Sequence, residues 1–167
     1  MTIIETDRLT LRKFNLNDAV FILELLNTPL WLKFIGDKGV KTIQEAENYL
    51  KNGSLKSYEE KGFGLYLVEE KTTKSPIGMC GFIKRDELEN LDLGFAFLPE
   101  YIGKGYGYEA ANACIKFGKD VLGFEKIAAI VNPENEASNS LLVKLGFVLE
   151  KQIAFGENAT LVNLYGI

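Results

Sequence analysis

The chain has 167 residues, of which 47% are apolar and 25% are charged, and its formal net charge is −4. This profile predicts one globular domain over residues 1–167 and excludes a disordered or fibrous protein. The acidic balance argues against direct nucleic-acid binding, which needs surplus lysine and arginine, but it suits a cationic partner.

The first part of the chain predicts a strand over residues 8–14 and a helix over residues 15–26, from alternating and then helical spacing of apolar residues. Residues 31–36 are rich in aromatic side chains and predict a short helix or loop. This segment is either a hydrophobic lid over the core or one wall of a substrate groove, with Trp31 and Phe34 as the wall residues.

Thr42 and Glu45 have the spacing of a capping box, which predicts a helix from there toward Tyr58. Gly53 is the position where that helix is expected to be interrupted or to fray. Three strands follow, over residues 63–69, 77–85 and 91–98.

A helix is predicted from Gly103 or Gly105 to Leu122, followed by a strand over 124–131 and a helix over 136–145. Two last strands are predicted over 147–155 and 160–165. This order predicts a mixed α/β (α+β) fold with one sheet of about six or seven strands and helices on both faces.

The chain contains no histidine, which excludes Ser-His-Asp and Cys-His catalysis and the usual zinc sites. An acid or base must therefore be a carboxylate, Lys, Tyr, Cys, a terminus or water. Cys80 and Cys114 are too few and too far apart for a disulfide framework, and we expect no metal site.

No apolar run approaches the roughly 18 residues that a transmembrane helix needs. The first residues, 1–8, lack the basic and then apolar order of a signal peptide. The sequence therefore predicts a cytoplasmic protein that does not contact membranes.

Residues 101–110, YIGKGYGYEA, form a glycine-rich turn between a predicted strand and a predicted helix. Alternate glycines let the backbone turn tightly with its N–H groups outward, and the helix adds its positive end, so the turn predicts an anion site. The alternative is a turn that only lets the helix pack closely. The spacing fits neither a dinucleotide fingerprint, because Tyr108 replaces its third glycine, nor a P-loop, because Gly105 follows the Gly-Lys pair.

A second motif lies downstream, at residues 132–147, NPENEASNSLLVKLGF. Helix capping alone would explain the polar residues at the start of this segment. Taken together, the two motifs resemble the GNAT acyltransferase superfamily, and within it the RimJ/RimL-like protein N-acetyltransferases. Residues 6–12 and 93–101 add to the resemblance in family order, so that it covers nearly the whole chain.

The resemblance implies a GNAT-like domain with a mostly antiparallel central mixed sheet, in which the strands over 91–98 and 124–131 splay apart to hold CoA. Acetyl-CoA is the implied co-substrate, and its pantetheine arm would contact the backbone of Phe97 and Leu98 and the side chain of Asn135. Its pyrophosphate would bind the turn formed by Ile102, Gly103, Lys104, Gly105, Tyr106 and Gly107.

The same resemblance implies two catalytic residues. Ser138 would donate to the departing CoA thiolate, unless it only caps the helix, and Asp92 would be the base, unless it is a solvated surface residue. The family's tyrosine general acid cannot be carried over, because Leu142 stands at its position. Ile102 replaces a Gln or Arg, so one phosphate contact is missing or comes from Lys104.

The implied reaction is direct attack of a neutral amine on the thioester in a ternary complex. The implied acceptor is a protein N-terminal α-amine of the ribosomal-protein type. Two alternatives stay open, namely a small amine such as a polyamine, aminoglycoside or amino acid, and a non-catalytic acyl-CoA-binding sensor. The sequence does not decide the oligomeric state, and a homodimer is compatible with it.

Overall fold

Eight strands form one sheet in the computed structural model, which describes residues Met1 to Ile167. In chain order they are β1 (Thr2–Glu5), β2 (Leu9–Arg12), β3 (Leu65–Glu70), β4 (Pro76–Ile83), β5 (Leu91–Phe97), β6 (Ile127–Val131), β7 (Val148–Phe155) and β8 (Thr160–Gly166). Their order across the sheet is β1-β2-β3-β4-β5-β6-β8-β7. All neighbours are antiparallel except β5 and β6, which are parallel, so the predicted mixed, mostly antiparallel sheet is confirmed.

The sheet has one strand more than the six or seven expected, and the additional strand is β1. It is four residues long, none of its side chains is fully buried, and it pairs antiparallel with β2. Its neighbouring Ile3 and Ile4 do not alternate with polar residues, so the sequence carries no strand period there. Pairing with β2, a contact outside the segment itself, defines this strand.

Helices cover both faces of the sheet, as predicted. They are α1 (Ala19–Leu25), α2 (Pro29–Phe34), α3 (Ile43–Leu50), α4 (Lys56–Lys61), α5 (Tyr106–Asp120) and α6 (Glu136–Lys144). One core packs α5 and α6 on the sheet and includes Leu93, Cys114 and Leu142, whereas α1 to α3 pack on the other face around Ile22 and Leu67. None of the helices combines the length and apolar character required to cross a bilayer.

The helix predicted from Thr42 begins and continues as expected, but Gly53 does not end it. Thr42 caps α3 by accepting the Glu45 N–H at 3.1 Å. A wide π-helical turn over Lys51–Leu55 then joins α3 to α4, and the helix ends at Gly62, whose φ is +78°. The helix therefore continues through Gly53 as a π-helical turn and does not end there.

Strands β5 and β6 separate soon after they begin. Their parallel pairing is limited to Leu91 with Ile127 and Asp92 with Ala128. Beyond this point β5 continues along β4, whereas β6 continues along β8. A gap therefore opens between the two strands, and the predicted splayed pair is confirmed.

Candidate active site

The glycine turn between β5 and α5 presents a row of backbone amides. Gly103 and Gly105 have φ values of +81° and +83°, in the left-handed region that favours glycine. Helix α5 begins at Tyr106 without a capping side chain. As a result, the N–H groups from Gly103 to Tyr108 have no hydrogen-bond partner within the protein. Together with the positive end of the helix they form an anion-binding cradle.

The cradle lies next to the other segments that the sequence assigned to the site. A Cβ atom at Gly107 would lie 3.3 Å from Leu141 of α6 and 3.7 Å from Phe97 of β5. Glycine at this position therefore lets the start of α5 approach both elements closely. A Cβ atom at Gly103 would meet nothing within 4 Å, so the outer side of the turn is open.

The side chains of the turn add little polarity of their own. Ile102 is 44% exposed, and an apolar residue at this position donates nothing to a phosphate. The Lys104 ammonium lies 5.7 Å from the ring centroid of Tyr101. Backbone amides, rather than side chains, thus supply most of the donors that would hold a pyrophosphate here.

Phe97 and Leu98 lie at the end of β5, on the rim of the gap. The Leu98 N–H donates to the Ile77 carbonyl at 2.9 Å, and the Leu98 carbonyl accepts from the Tyr101 N–H at 3.0 Å. Backbone groups of successive strand residues point to opposite edges, so those of Phe97 point into the gap. Phe97 is free to bind an extended ligand chain, whereas both backbone groups of Leu98 are already engaged.

Asn135 and Ser138 lie at the start of α6. The Asn135 side-chain oxygen caps the helix by accepting the Ser138 N–H at 3.2 Å, which leaves its NH₂ group free for a ligand. The Ser138 side chain is partly exposed, and its hydroxyl has no partner within the chain. Asn135, not Ser138, is therefore the helix cap, and the Ser138 hydroxyl is free to donate to a ligand.

Asn139 holds α6 on the sheet, a role that the sequence did not reveal. Its NH₂ group donates to the carbonyls of Asn132 and Asn135 at 3.1 and 2.8 Å. Its side-chain oxygen accepts from Asn163 at 2.9 Å and from the Tyr165 hydroxyl at 2.6 Å. The only sequence signal for this network is a polar residue three positions before the buried Leu142 of the same helix.

Asp92 is a buried residue of β5, which corrects the alternative of a solvated surface carboxylate. It is 2% exposed and lies where β5 and β6 separate. Its Oδ2 atom accepts a 2.7 Å hydrogen bond from Arg85 Nε, whereas Oδ1 has no partner. Burial raises the pKa of Asp92 to about 6, against the opposing effects of Arg85 and of the Ile130 backbone N–H. A carboxylate with this pKa is ionised at neutral pH and can accept a proton.

A solvent-open cavity of about 450 Å³ lies between the loop after α2 and the π-helical turn, lined in part by Lys38, Tyr49 and Asn52. The Arg85 charge reaches this cavity. Burial lowers the pKa of Lys38, and the Arg85 charge lowers it further. Burial raises the pKa of Tyr49, and the Arg85 charge opposes this rise. The Arg85 charge therefore acts on two of the residues that line this cavity.

Trp31 is a core residue, which corrects its assignment to a groove wall. It is 5% exposed and packs with residues of α1 and α3, so the lid interpretation applies to it. Phe34, at the end of α2, is partly exposed, and the Lys33 ammonium lies 4.9 Å from its ring centroid. Phe34 remains accessible from the surface, whereas Trp31 does not.

Leu142 is fully buried against α5 and the sheet, so no hydroxyl is available where related enzymes use a tyrosine. Ser138, one helical turn earlier, carries a partly exposed hydroxyl that no protein group engages. No group of three or more His, Cys, Asp or Glu side chains is placed to hold a metal ion.

Residues 8–148 match the family model described as an acetyltransferase (GNAT) domain. The chain belongs to the GNAT acetyltransferase family. Uncharacterized N-acetyltransferase YoaA of Bacillus subtilis is 30% identical over 149 residues, which are 89% of this chain and 84% of the relative. A solved structure of RimL, the ribosomal L7/L12 alpha-N-protein acetyltransferase in complex with coenzyme A, shares the fold with a TM-score of 0.85 at 17% identity, covering 100% of this chain and 97% of that one. GNAT domains use acetyl-CoA, and the free amides of the glycine turn fit its pyrophosphate.

Two relatives carry the acceptor in their names, and the acceptors belong to different classes. The [ribosomal protein uS5]-alanine N-acetyltransferase of Escherichia coli is 30% identical over 104 residues, which are 59% of this chain and 52% of the relative. The spermidine N(1)-acetyltransferase of the same organism is 40% identical over 55 residues, 33% of this chain and 30% of the relative. Family membership therefore establishes an N-acetyltransferase and leaves its acceptor to be argued from the site.

Proposed function

We propose that this enzyme acetylates the N-terminal α-amine of a protein or peptide. The observation that carries the proposal is one continuous path through the site. It starts at the free amides from Gly103 to Tyr108, follows the gap between β5 and β6, and ends at Asp92, where the two strands separate. A cofactor-binding turn, a channel and a buried base are thus arranged in the order that a ternary complex requires.

Acetyl-CoA would bind along this path, with its pyrophosphate at the glycine turn and its pantetheine arm in the gap. The free amides of the turn, from Gly103 to Gly107, would hold the pyrophosphate, whereas the Ile102 N–H donates to the Pro99 carbonyl at 3.2 Å and is not available. The pantetheine arm would run along Phe97 and the free NH₂ group of Asn135. The Phe97 N–H points into the gap, where it is placed to polarise the thioester carbonyl. Leu98 contributes only its position at the rim, because its backbone groups are engaged in the sheet.

Asp92 is the proposed base, acting directly or through one water. Its Oδ1 atom is unpartnered, and its pKa of about 6, raised by burial, leaves it ionised at neutral pH. An ammonium group cannot attack a thioester, so its proton must first be removed. An α-amine has a pKa of about 8 and a lysine side chain one of about 10.4, so the α-amine is the easier acceptor for a base of this strength.

The transfer itself needs no covalent enzyme intermediate. The neutral amine nitrogen forms a bond to the acetyl carbonyl carbon, the bond from that carbon to sulfur breaks, and the sulfur leaves as a thiolate. Asp92 accepts the proton of the ammonium group before the attack. The proton that the nitrogen loses on forming the amide passes to the thiolate sulfur, directly or through water, so that CoA leaves as the thiol, and the Ser138 hydroxyl donates a hydrogen bond to that sulfur as it departs. This role suits Ser138 because no group of the protein competes for its hydroxyl.

The local charges favour a peptide over a polyamine. The Asp92 carboxylate is already paired with Arg85, and Lys38 adds a second cation close to Arg85. A polyamine would bring further ammonium groups against these cations, whereas an N-terminal peptide brings one. The cavity lined in part by Lys38 and Tyr49 is open to solvent, as a protruding peptide requires.

Release of the CoA thiol by the purified enzyme tests this proposal. Each peptide is offered with a free α-amine and, as the matched control, with the same α-amine already acetylated. Thiol release is expected with the free peptide and at background level with the blocked one. Equal release with both peptides contradicts α-amine transfer, and acetyl-CoA binding without release for any amine indicates an acyl-CoA sensor.

A further inference from the structure

Arg8, just before β2, contacts the glycine turn. Its Nε atom donates to Glu109 Oε1 at 2.9 Å, and its Nη1 atom donates to the Lys104 carbonyl at 3.0 Å. Its guanidinium carbon lies 4.3 Å from the ring centroid of Tyr106, whose hydroxyl donates to Glu70 at 3.1 Å. Arg8 thus contacts the turn and the first turn of α5 at three points.

Glu109, in the first turn of α5, creates an electrostatic problem for an anion bound there. Its Oε2 atom accepts from the Thr6 hydroxyl at 2.6 Å and from the Arg8 backbone N–H at 3.0 Å. Burial acts to raise the pKa of Glu109, but the hydrogen bonds from Thr6 and Arg8 hold that pKa below its ordinary value. The carboxylate is therefore ionised at neutral pH. An ionised carboxylate stabilises a free helix N-terminus but repels a second anion at the same end.

The Lys104 carbonyl creates a related problem, because it belongs to the turn whose amides form the cradle. A carbonyl oxygen turned toward a phosphate would oppose its binding. The hydrogen bond from Arg8 Nη1 holds this carbonyl toward the N-terminal segment instead. The Arg8 side chain is 44% exposed, so its position reflects these polar contacts more than burial in the core.

We infer that Arg8 is a positioning residue for acetyl-CoA, which neutralises Glu109 and holds the Lys104 carbonyl away from the cradle. The inference rests on the proposed binding of the acetyl-CoA pyrophosphate to the glycine turn. It extends the site to the N-terminal segment, 101 residues before Glu109 in the chain.

Titration calorimetry with acetyl-CoA tests this role in the full-length protein at fixed ionic strength. Arg8→Gln removes the positive charge and the planar set of guanidinium N–H donors, so the Kd for acetyl-CoA is expected to rise about tenfold. Arg8→Lys keeps the charge, but a lysine cannot reach both Glu109 Oε1 and the Lys104 carbonyl oxygen, so the Kd for acetyl-CoA is expected to rise about threefold. At saturating acetyl-CoA the kcat of both variants should stay within about twofold of the wild type, because Arg8 does not touch the reacting atoms.

A double-mutant cycle separates charge neutralisation from general damage. In a Glu109→Gln background no carboxylate is left uncompensated, so Arg8→Gln should raise Kd by only about twofold. Arg12→Gln is the matched control, because Arg12 pairs with Asp18 and Glu69, away from the turn. It should lower the Tm and leave the Kd for acetyl-CoA unchanged.

Three results overturn the inference. They are an unchanged Kd in Arg8→Gln, a fall in kcat as large as the loss of affinity, and a weakening of acetyl-CoA binding by Arg12→Gln as large as that by Arg8→Gln. If the wild type binds acetyl-CoA but any of these three results is obtained, the proposed function stands and the proposed role of Arg8 is wrong. If the wild type does not bind acetyl-CoA, both fall.

Discussion

Arg85 Nε and Asp92 Oδ2 lie 2.7 Å apart at the point where β5 and β6 separate. The Asp92 side chain is 2% exposed, whereas that of Arg85 is 31% exposed and packs over the Phe155 ring. The ion pair therefore has a buried acid and a cation that reaches solvent. This arrangement leaves Oδ1 buried and without a side-chain partner, in a chain that has no histidine to act as a base.

Asp92→Asn should remove the acidic limb of the pH–rate profile. With a pKa that burial raises to about 6, Asp92 loses its proton as the pH rises through about 6, and kcat/KM of the wild type should rise there. The variant should be about 10² to 10⁴ times slower and lack this limb. Asp86→Asn, the same change at an exposed position, is the control and should keep the wild-type profile. A limb at the same pH in Asp92→Asn would remove Asp92 from the proton transfer.

Asp92 should also make the protein less stable as the pH rises from about 4 to about 6. Burial raises its folded-state pKa from 3.8 to about 6. In this range the folded state keeps a proton that the unfolded state has lost, so the free energy of unfolding falls with rising pH and stays lower above pH 6. The shift corresponds to about 3 kcal/mol. Urea unfolding at pH 4 and pH 7 should show this fall in the wild type relative to Asp92→Asn, and equal pH dependence of the two proteins would contradict it.

Ser138→Ala should lower kcat about a hundredfold and leave the affinity for acetyl-CoA nearly unchanged. The hydroxyl has no protein partner, and Asn135 provides the helix cap, so its removal should cost little stability. Ser140→Ala, on an exposed position of the same helix, is the control. Turnover of Ser138→Ala equal to that of the wild type would exclude Ser138 from the mechanism.

Gly105→Asp should abolish acetyl-CoA binding. The substitution strains a backbone with φ of +83°, and its Cβ would lie 3.2 Å from Arg8 Nη2, so the new side chain displaces Arg8 and adds a negative charge to the turn. Gly123→Asp is the matched control, because Gly123 has a φ of +76° and open space around it but lies beyond the other end of α5. Calorimetry should detect binding in the control only. Retained binding in Gly105→Asp would place the pyrophosphate elsewhere.

The cradle could be predicted from the sequence because its causes are local. Three glycines between a strand and a helix determine the turn, and the start of α6 follows from Asn135 and the apolar residues after it. The same locality explains why the element order was predicted correctly.

Contacts between distant segments could not be predicted. The Arg8–Glu109 pair joins the segment before β2 to the first turn of α5, 101 residues later in the chain, and no spacing rule relates them. The burial of Asp92 depends on β6 and on Arg85, so its sequence position alone left a solvated residue as an equal alternative. Trp31 illustrates the same limit, since an aromatic residue before a loop is compatible with both a core and a groove.

The acceptor is tested most directly by a competition experiment read by mass spectrometry. The enzyme is given acetyl-CoA and an equimolar mixture of spermidine and a peptide that carries a free α-amine and an internal lysine. The account predicts one acetyl group on the peptide, located at its α-amine, with spermidine and the lysine side chain essentially unmodified. Acetylation of spermidine with an unmodified peptide would contradict the account and identify a small-amine acetyltransferase.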